Sequence, residues 1–142
     1  MRFMVIRKAD EETEAEVPPS PELLDAMGRY NEELIKAGVM LSGDGLMASA
    51  KGAKVHFSGD GRTTVTDGPF AEAKELVAGY SILEVASLAE AIEWVKKWPV
   101  EDGHGNAEIE ILRIAEDEDF GDAMTEENRQ FSKDLRDLAN GK

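Results

Sequence analysis

Nine consecutive residues concentrate the chemistry open to this chain: Asp67-Gly68-Pro69-Phe70-Ala71-Glu72-Ala73-Lys74-Glu75. Glu72, Lys74 and Glu75 place two carboxylates and an ammonium close together, a set that can move protons or hold a polar ligand. Ahead of them, Asp67-Gly68-Pro69 specifies a turn, because an aspartate side chain bonds backbone donors two residues on and proline fixes φ. Phe70 is expected to anchor that loop in the core. The hydroxyl of Tyr80, shortly downstream, adds another group that can carry a proton. The same residue types equally describe a rigid turn with a solvated, charged end.

Other reactive side chains are sparse. His56 alternates with Val55 and Phe57 on a hairpin strand and is expected to face solvent, while His104 sits in a Gly-rich loop. Neither has a helical i, i+4 partner, and there is no cysteine, so no metal site is expected and no disulfide framework exists. Trp94 and Trp98, four apart on a helix, read as packing at the edge of the core rather than as a stacking pair for a ligand. Gly43-Asp44-Gly45 and Gly59-Asp60-Gly61 lack the lysine and helix of a phosphate loop and read as turns. The acidic run Glu116 to Asp122 reads as a solvated, flexible connector.

Composition narrows the function classes. The chain has 142 residues, 42% hydrophobic and 32% charged, and a net charge of −14. That length suits one core. The charge repels nucleic-acid backbones and anionic membranes. No apolar run approaches the roughly 20 residues of a membrane span, and the N-terminus lacks a signal-peptide pattern. A cytoplasmic protein without nucleic-acid or membrane partners is expected.

The elements that must position these residues follow from periodicity. Arg2 to Lys8 reads as a strand with apolar residues on both faces. After an acidic linker, Asp10 to Glu16, Ser20 and Pro21 signal a helix start, and Gly38 an end. Leu23, Met27, Tyr30 and Leu34 form its inner stripe. Val39 to Leu41 is a short strand, followed by Ser42 to Gly45 as a turn. Lys54 to Ser58 and Arg62 to Thr66 flank a hairpin turn. Gly79 to Val85 alternates as a strand, and Ser87-Leu88-Ala89-Glu90 resembles a capping box opening a helix that Pro99 ends. Its expected inner residues are Leu88, Ala91, Ile92 and Val95. Glu108 to Ile114 is the last strand. Thr125 caps a tail helix, Glu126 to Ala139, with a narrow stripe of Phe131, Leu135 and Leu138.

This order gives a ferredoxin-like α+β fold, βαββαβ with an inserted β-hairpin, followed by a C-terminal helix. Both helices then cover one sheet face. The other face keeps apolar side chains whose exposure is costly. The rival covers are the chain's own tail helix, docked on its own subunit or a partner's, and a second copy. A homodimer packed sheet to sheet, with the tail as an added clasp, is expected.

Asp67-Gly68-Pro69-Phe70 with Glu72, Lys74-Glu75 and Gly79-Tyr80 resembles the signature of YCII-related proteins, in particular their DGPF subgroup. Tyr30-Asn31-Glu32-Glu33-Leu34 with Ala37-Gly38, Gly45-Leu46, Ala91-Ile92-Glu93-Trp94 and Ile109-Glu110-Ile111-Leu112 resemble it in order and spacing. The resemblance covers residues 1–114 and leaves 115–142 as an acidic linker and amphipathic helix. It implies a dimeric α+β barrel. Some relatives process chlorinated muconolactones and others occur beside extracytoplasmic-function sigma factors. One branch carries a first-helix histidine where this chain has Met27, which cannot transfer protons.

Two functions are therefore expected. One is a cofactor-independent acid/base enzyme acting on a small cyclic or carbonyl metabolite. Its catalytic groups would come from Asp67, Glu72, Lys74, Glu75 and Tyr80, with Tyr30 and Phe70 contacting the ligand. The pocket would lie between the first helix, the Asp67 loop and the sheet. The other is a non-catalytic ligand-binding or regulatory dimer, associated with a sigma-factor pathway.

Overall fold

The computed structural model describes residues 1–141, apart from the side chain of Lys74. Strands β1 (Arg2–Lys8), β2 (Met40–Gly45), β5 (Val77–Glu84) and β6 (Ile109–Arg113) form one antiparallel sheet in the order β2-β5-β1-β6. Strands β3 (Ala53–Phe57) and β4 (Thr63–Asp67) form a separate two-stranded hairpin inserted between β2 and β5. With helices α2 (Pro21–Lys36) and α3 (Leu88–Val95) as the crossovers, this is the ferredoxin-like α+β arrangement.

Along β1 every second residue turns to the helices, and Phe3, Val5 and Arg7 on that side are all buried. Phe3, Val5, Leu83 and Leu34 are the fully buried centre, with Tyr30, Val39, Val85 and Ala91 around them. On the opposite face Met4 lies between Ile82 and Leu112, and Ile6 lies between Tyr80 and Glu110. Among the described residues, no element covers that face to the point of burial.

The helix ends follow the sequence. Ser20 accepts from Leu23 N–H at 3.1 Å with Pro21 at the first turn, and Gly38 closes α2 at φ 74°. Ser87 accepts from Glu90 N–H, although the Glu90 carboxylate takes the Ala86 N–H, one residue before the position a capping box requires. Leu88 and Ile92 are exposed, and Ala91 alone of the expected inner residues on α3 is buried, because this short helix meets the sheet along a narrow line.

Three segments differ from expectation. Ser42 to Gly45 continues β2 rather than turning, since its backbone pairs with β5 through Ser42–Ile82, Gly43–Ser81, Asp44–Tyr80 and Gly45–Gly79. Ladder hydrogen bonds outweigh the turn preference of its glycines. The acidic linker contains a one-turn helix, α1 (Glu11–Glu14), because Asp10 and Thr13 reciprocally cap it. The run from Glu116 to Asp122 is wound into short turns and tied down by Arg113–Asp119 and by Arg129 and Arg136 at Asp117. The tail helix α4 (Glu126–Ala139) is capped by Thr125 and buries none of its residues.

Candidate functional site

A cleft of about 330 Å³ lies beneath the N-terminal half of α2, at the small end of the range for small-molecule sites. It exists because the sheet under that part of the helix is nearly bare. The floor facing the helix pairs Gly43 with Ser81 and Gly45 with Gly79, so three of four residues there have no side chain. Leu23, Met27 and Tyr30 of α2, with Met40 and Trp98, form apolar walls, and half-exposed Leu24 stands among them.

At one end the cleft meets a polar cluster. Arg7 Nε donates to Asp102 Oδ2 at 2.9 Å, and Arg7 Nη2 donates to Asp102 Oδ1 at 2.9 Å and to Asp10 Oδ2 at 3.0 Å. Arg7 Nη1 donates to the Lys8 carbonyl. Trp98 Nε1 donates to Asp102 Oδ2 at 2.9 Å, and its ring packs against Tyr30 with centroids 5.5 Å apart. A planar fork between two carboxylates suits arginine and not lysine.

The surroundings fix the charge of each group. Burial pushes the Asp102 carboxyl up, but its hydrogen bonds from Arg7 and Trp98 outweigh that and hold it below the usual carboxylate range. Hydrogen bonding to Asp102 in turn raises Arg7, against the opposing effect of burial. Burial, helped by nearby Glu33, pushes Tyr30 up to about 12. The Tyr30 hydroxyl donates to the Trp94 carbonyl at 2.8 Å, so this ring is a neutral, committed donor. By contrast, Asn31 and Ser81 line the cleft without a side-chain hydrogen bond to another described residue.

The structure scatters the residues singled out from the sequence. Tyr30 is in the cleft wall. Tyr80 contributes to the floor, but it stands opposite Ile6 and Asp44, which places its side chain on the sheet face away from the helices. There its hydroxyl donates to Asp44 Oδ2 at 3.2 Å, and that hydrogen bond raises its pKa.

Among the described residues from Asp67 to Glu75, none lines the cleft. Asp67 ends β4, exposed, and Gly68 N–H bonds the Gly52 carbonyl at 3.0 Å. The Gly68–Pro69 peptide is cis. A Cβ on Gly68 would stand 1.7 Å from the Ser49 carbonyl oxygen, so only glycine fits. Phe70 N–H then bonds Ser49 Oγ at 2.9 Å, while Ser49 Oγ donates to Glu14 Oε2 at 2.5 Å and Ser49 N–H to Glu14 Oε1 at 2.9 Å. Phe70 is half-buried and lies outside the core cluster, with the Lys54 ammonium 4.4 Å from its ring centre. The turn's anchor is thus Ser49 and Glu14 rather than the core. Glu72 borders a separate groove with Lys8, Asp10 and Glu108, and the Glu75 carbonyl accepts from Lys8 Nζ at 3.3 Å. The Lys74 side chain lies outside the described residues.

Sequence reasoning missed Arg7, Asp102, Asn31 and Ser81. One signal was present: Arg7 interrupts the row Phe3, Val5, Arg7, placing a charge at an inward position of a strand. His56 is exposed on its hairpin, and His104 pairs with Glu12 at 3.0 Å on the surface. Among the described residues no group of three or more His, Asp or Glu is placed to hold a metal, and no helix is long and apolar enough to cross a membrane.

The strand order and the helix-covered cleft define a ferredoxin-like α+β protein. The chain belongs to the YCII-related domain family, which matches residues 1–115. No curated protein matches it. Among solved structures it is similar to 5-chloro-2-hydroxyhydroquinone dehydrochlorinase from Burkholderia phenoliruptrix AC1100, determined in complex with 2,5-dihydroxybenzoquinone. That likeness is 17% in sequence identity over 81% of this chain and 94% of the other, with a TM-score of 0.41.

Proposed function

We propose that this protein is a cytoplasmic, homodimeric member of the DGPF subgroup that binds a small, ring-shaped, mostly apolar metabolite carrying at least one oxygen. The observation that carries the reading is the glycine-floored cleft, whose walls are apolar and whose uncommitted polar groups are Asn31 and Ser81. Apolar walls supply binding free energy in proportion to area, and a few convergent polar groups fix orientation. Asp67-Gly68-Pro69-Phe70 supports the subgroup, and the cysteine-free composition fits the compartment.

Binding is favoured over catalysis by the state of the ionisable groups in the cleft. Asp102 is held as an anion, Arg7 as a cation and Tyr30 as a neutral donor, and Met27 on the wall carries no proton. None of these is poised to exchange a proton near neutral pH. The protein then acts as a ligand-responsive dimer, of use in a regulatory setting such as a sigma-factor pathway.

Acid/base catalysis on a cyclic or carbonyl metabolite is the second reading, favoured by the Tyr80–Asp44 pair on the other face of the cleft floor. Of the motif residues, Glu72 stands beside a neighbouring groove, and Asp67, Lys74 and Glu75 remain its other acid/base groups.

A thermal-shift screen of cyclic ketones, phenols and lactones tests the first reading, because a ligand bound only by the folded state raises the melting temperature. The decisive variant is Gly45→Val. A Cβ there meets nothing within 4 Å, so the fold is retained while the side chain occupies the floor. The expected outcome is loss of the ligand-induced shift with an unchanged unliganded melting temperature. An undiminished shift in Gly45→Val would place the ligand elsewhere. Turnover of a bound hit that disappears in Tyr80→Phe or Glu72→Gln would establish the second reading instead.

A further inference from the structure

We propose that the cleft takes its ring-shaped ligand only in an uncharged form, because the Asp10–Arg7–Asp102 cluster at its polar end turns away anions and cations alike. The inference deepens the ligand-binding reading above, rests on it, and adds the charge of the ligand.

Among the described residues Arg7 is the only arginine or lysine bordering the cleft, and its donors are nearly all used. Four of its five N–H groups go to Asp102, Asp10 and the Lys8 carbonyl, which leaves one on Nη1. The Arg7 and Asp102 side chains are 9% and 11% exposed, so the pair sits largely out of water. One guanidinium between two carboxylates gives the cluster a net negative charge. An anionic ligand would give up its hydration to meet that charge, with a single N–H to receive it. The other strong donors are spent: the Trp98 indole N–H on Asp102 and the Tyr30 hydroxyl on the Trp94 carbonyl.

A cation meets committed acceptors. Asp102 Oδ2 accepts from both Arg7 and Trp98, its Oδ1 accepts from Arg7, and the guanidinium repels a second positive charge. Asp44, the other carboxylate bordering the cleft, stands opposite Tyr80 on the sheet face away from the helices and accepts from its hydroxyl there. Glu33, near Tyr30, pairs with Lys97. The polar groups left to a ligand are the Asn31 amide and the Ser81 hydroxyl. Each both donates and accepts without charge, which matches an alcohol, a ketone or an un-ionised phenol.

These charges hold steady around neutral pH. Asp102 and Asp10 stay below the usual carboxylate range despite burial, through bonds from Arg7 and Trp98 to Asp102 and from Thr13 and Arg7 to Asp10. Tyr30, pushed up by burial to about 12, keeps its proton. His104, paired with Glu12, borders a neighbouring groove and not the cleft. Any pH dependence of binding near neutrality therefore belongs to the ligand.

The test uses the full chain and two probes of similar shape: 4-nitrophenol, which ionises near neutral pH, and 4-nitrobenzyl alcohol, which does not. Dissociation constants are read by titration calorimetry across neutral pH. The constant for the phenol is expected to rise about tenfold for each pH unit above the phenol's own pKa, as the competent fraction falls, while that of the alcohol stays level. Benzylamine, a cation throughout, is expected to bind at least about tenfold more weakly than benzyl alcohol. Asp10→Asn keeps an oxygen for the Thr13 N–H and leaves the cluster neutral, so the phenolate gains affinity and the rise levels off at lower pH. Phenol binding that holds level or tightens with pH overturns the inference, as does benzylamine binding as tightly as benzyl alcohol. A rise as steep in Asp10→Asn as in wild type overturns the role of the cluster. Each of these leaves the cleft as a binding site. Failure of both alcohols to bind, or equal binding to Gly45→Val, overturns the cleft reading and this inference together.

Discussion

Arg7 and Asp102 link three parts of the chain: the end of β1, the one-turn helix through Asp10, and the loop after α3 through Trp98. Both side chains of the pair are about nine-tenths buried, so removing one charge strands the other out of water. Asp102→Asn is therefore expected to lower stability at pH 7 by about 3–5 kcal/mol in urea unfolding. The pH dependence has a definite sign. The folded carboxyl lies below its ordinary value of 3.8, so its stabilisation is present above that value and is lost as pH falls through the lower folded one. Asp10, also held below the usual range, works in the same window. Wild-type protein should lose stability as pH drops below about 4, and Asp102→Asn should lack Asp102's part of that loss. Equal stability of the two proteins at pH 7 would show that the cluster does not brace the cleft. Arg7→Lys should be nearly as damaging, because an ammonium cannot span both carboxylates.

The turn at Asp67 acts between elements. Gly68 lies against the Ser49 backbone, Phe70 N–H holds Ser49 Oγ, and Glu14 holds Ser49 from the other side, which fixes the base of the hairpin to α1. Gly68→Ala forces a methyl group into a backbone carbonyl and should cost about 1–3 kcal/mol or more, read as a fall of several degrees in melting temperature. If Gly68→Ala melts with wild type, the close approach is not a constraint. Strands, helices and caps were legible because each depends on neighbours in sequence: Ser20 with Leu23, Thr125 with Asn128, Phe3 alternating with Met4. The cleft was legible only in part: a pocket between the first helix and the sheet with Tyr30 in its wall was expected, but its glycine floor and its Arg7–Asp102 end were not. Asp102 is 95 residues from Arg7, and Ser42-Gly43-Asp44-Gly45 carries turn residues that become a strand only when β5 lies beside them. Those residues are bare of side chains where α2 passes over, and that is what leaves room for a ligand.

At the scale of the whole molecule, the helices cover one side of the sheet, while Met4, Ile6, Ile82 and Leu112 form a row on the other. Leu112 is more than half exposed, and the others are only partly buried by their neighbours. Lys8 and Glu110 pair at the edge of that row at 3.1 Å, and Arg2 and Glu84 sit opposite each other at its far end, giving an apolar strip with charged borders. A two-fold axis can lay such a strip against its own copy, because each half then meets an identical surface. Ile82→Glu is the sharpest test, since this side chain lies beside Met4 in the middle strands yet reaches no part of the helix-side core. In an isolated chain a glutamate there stays partly hydrated and costs little. Between two packed sheets it places two carboxylates near the axis and costs several kcal/mol per uncompensated ion. Light scattering at micromolar concentration should give twice the 15.5 kDa chain mass for wild type and the single mass for Ile82→Glu, with circular dichroism unchanged. A wild-type mass of one chain, or an Ile82→Glu protein still dimeric, would mean that this face serves another purpose.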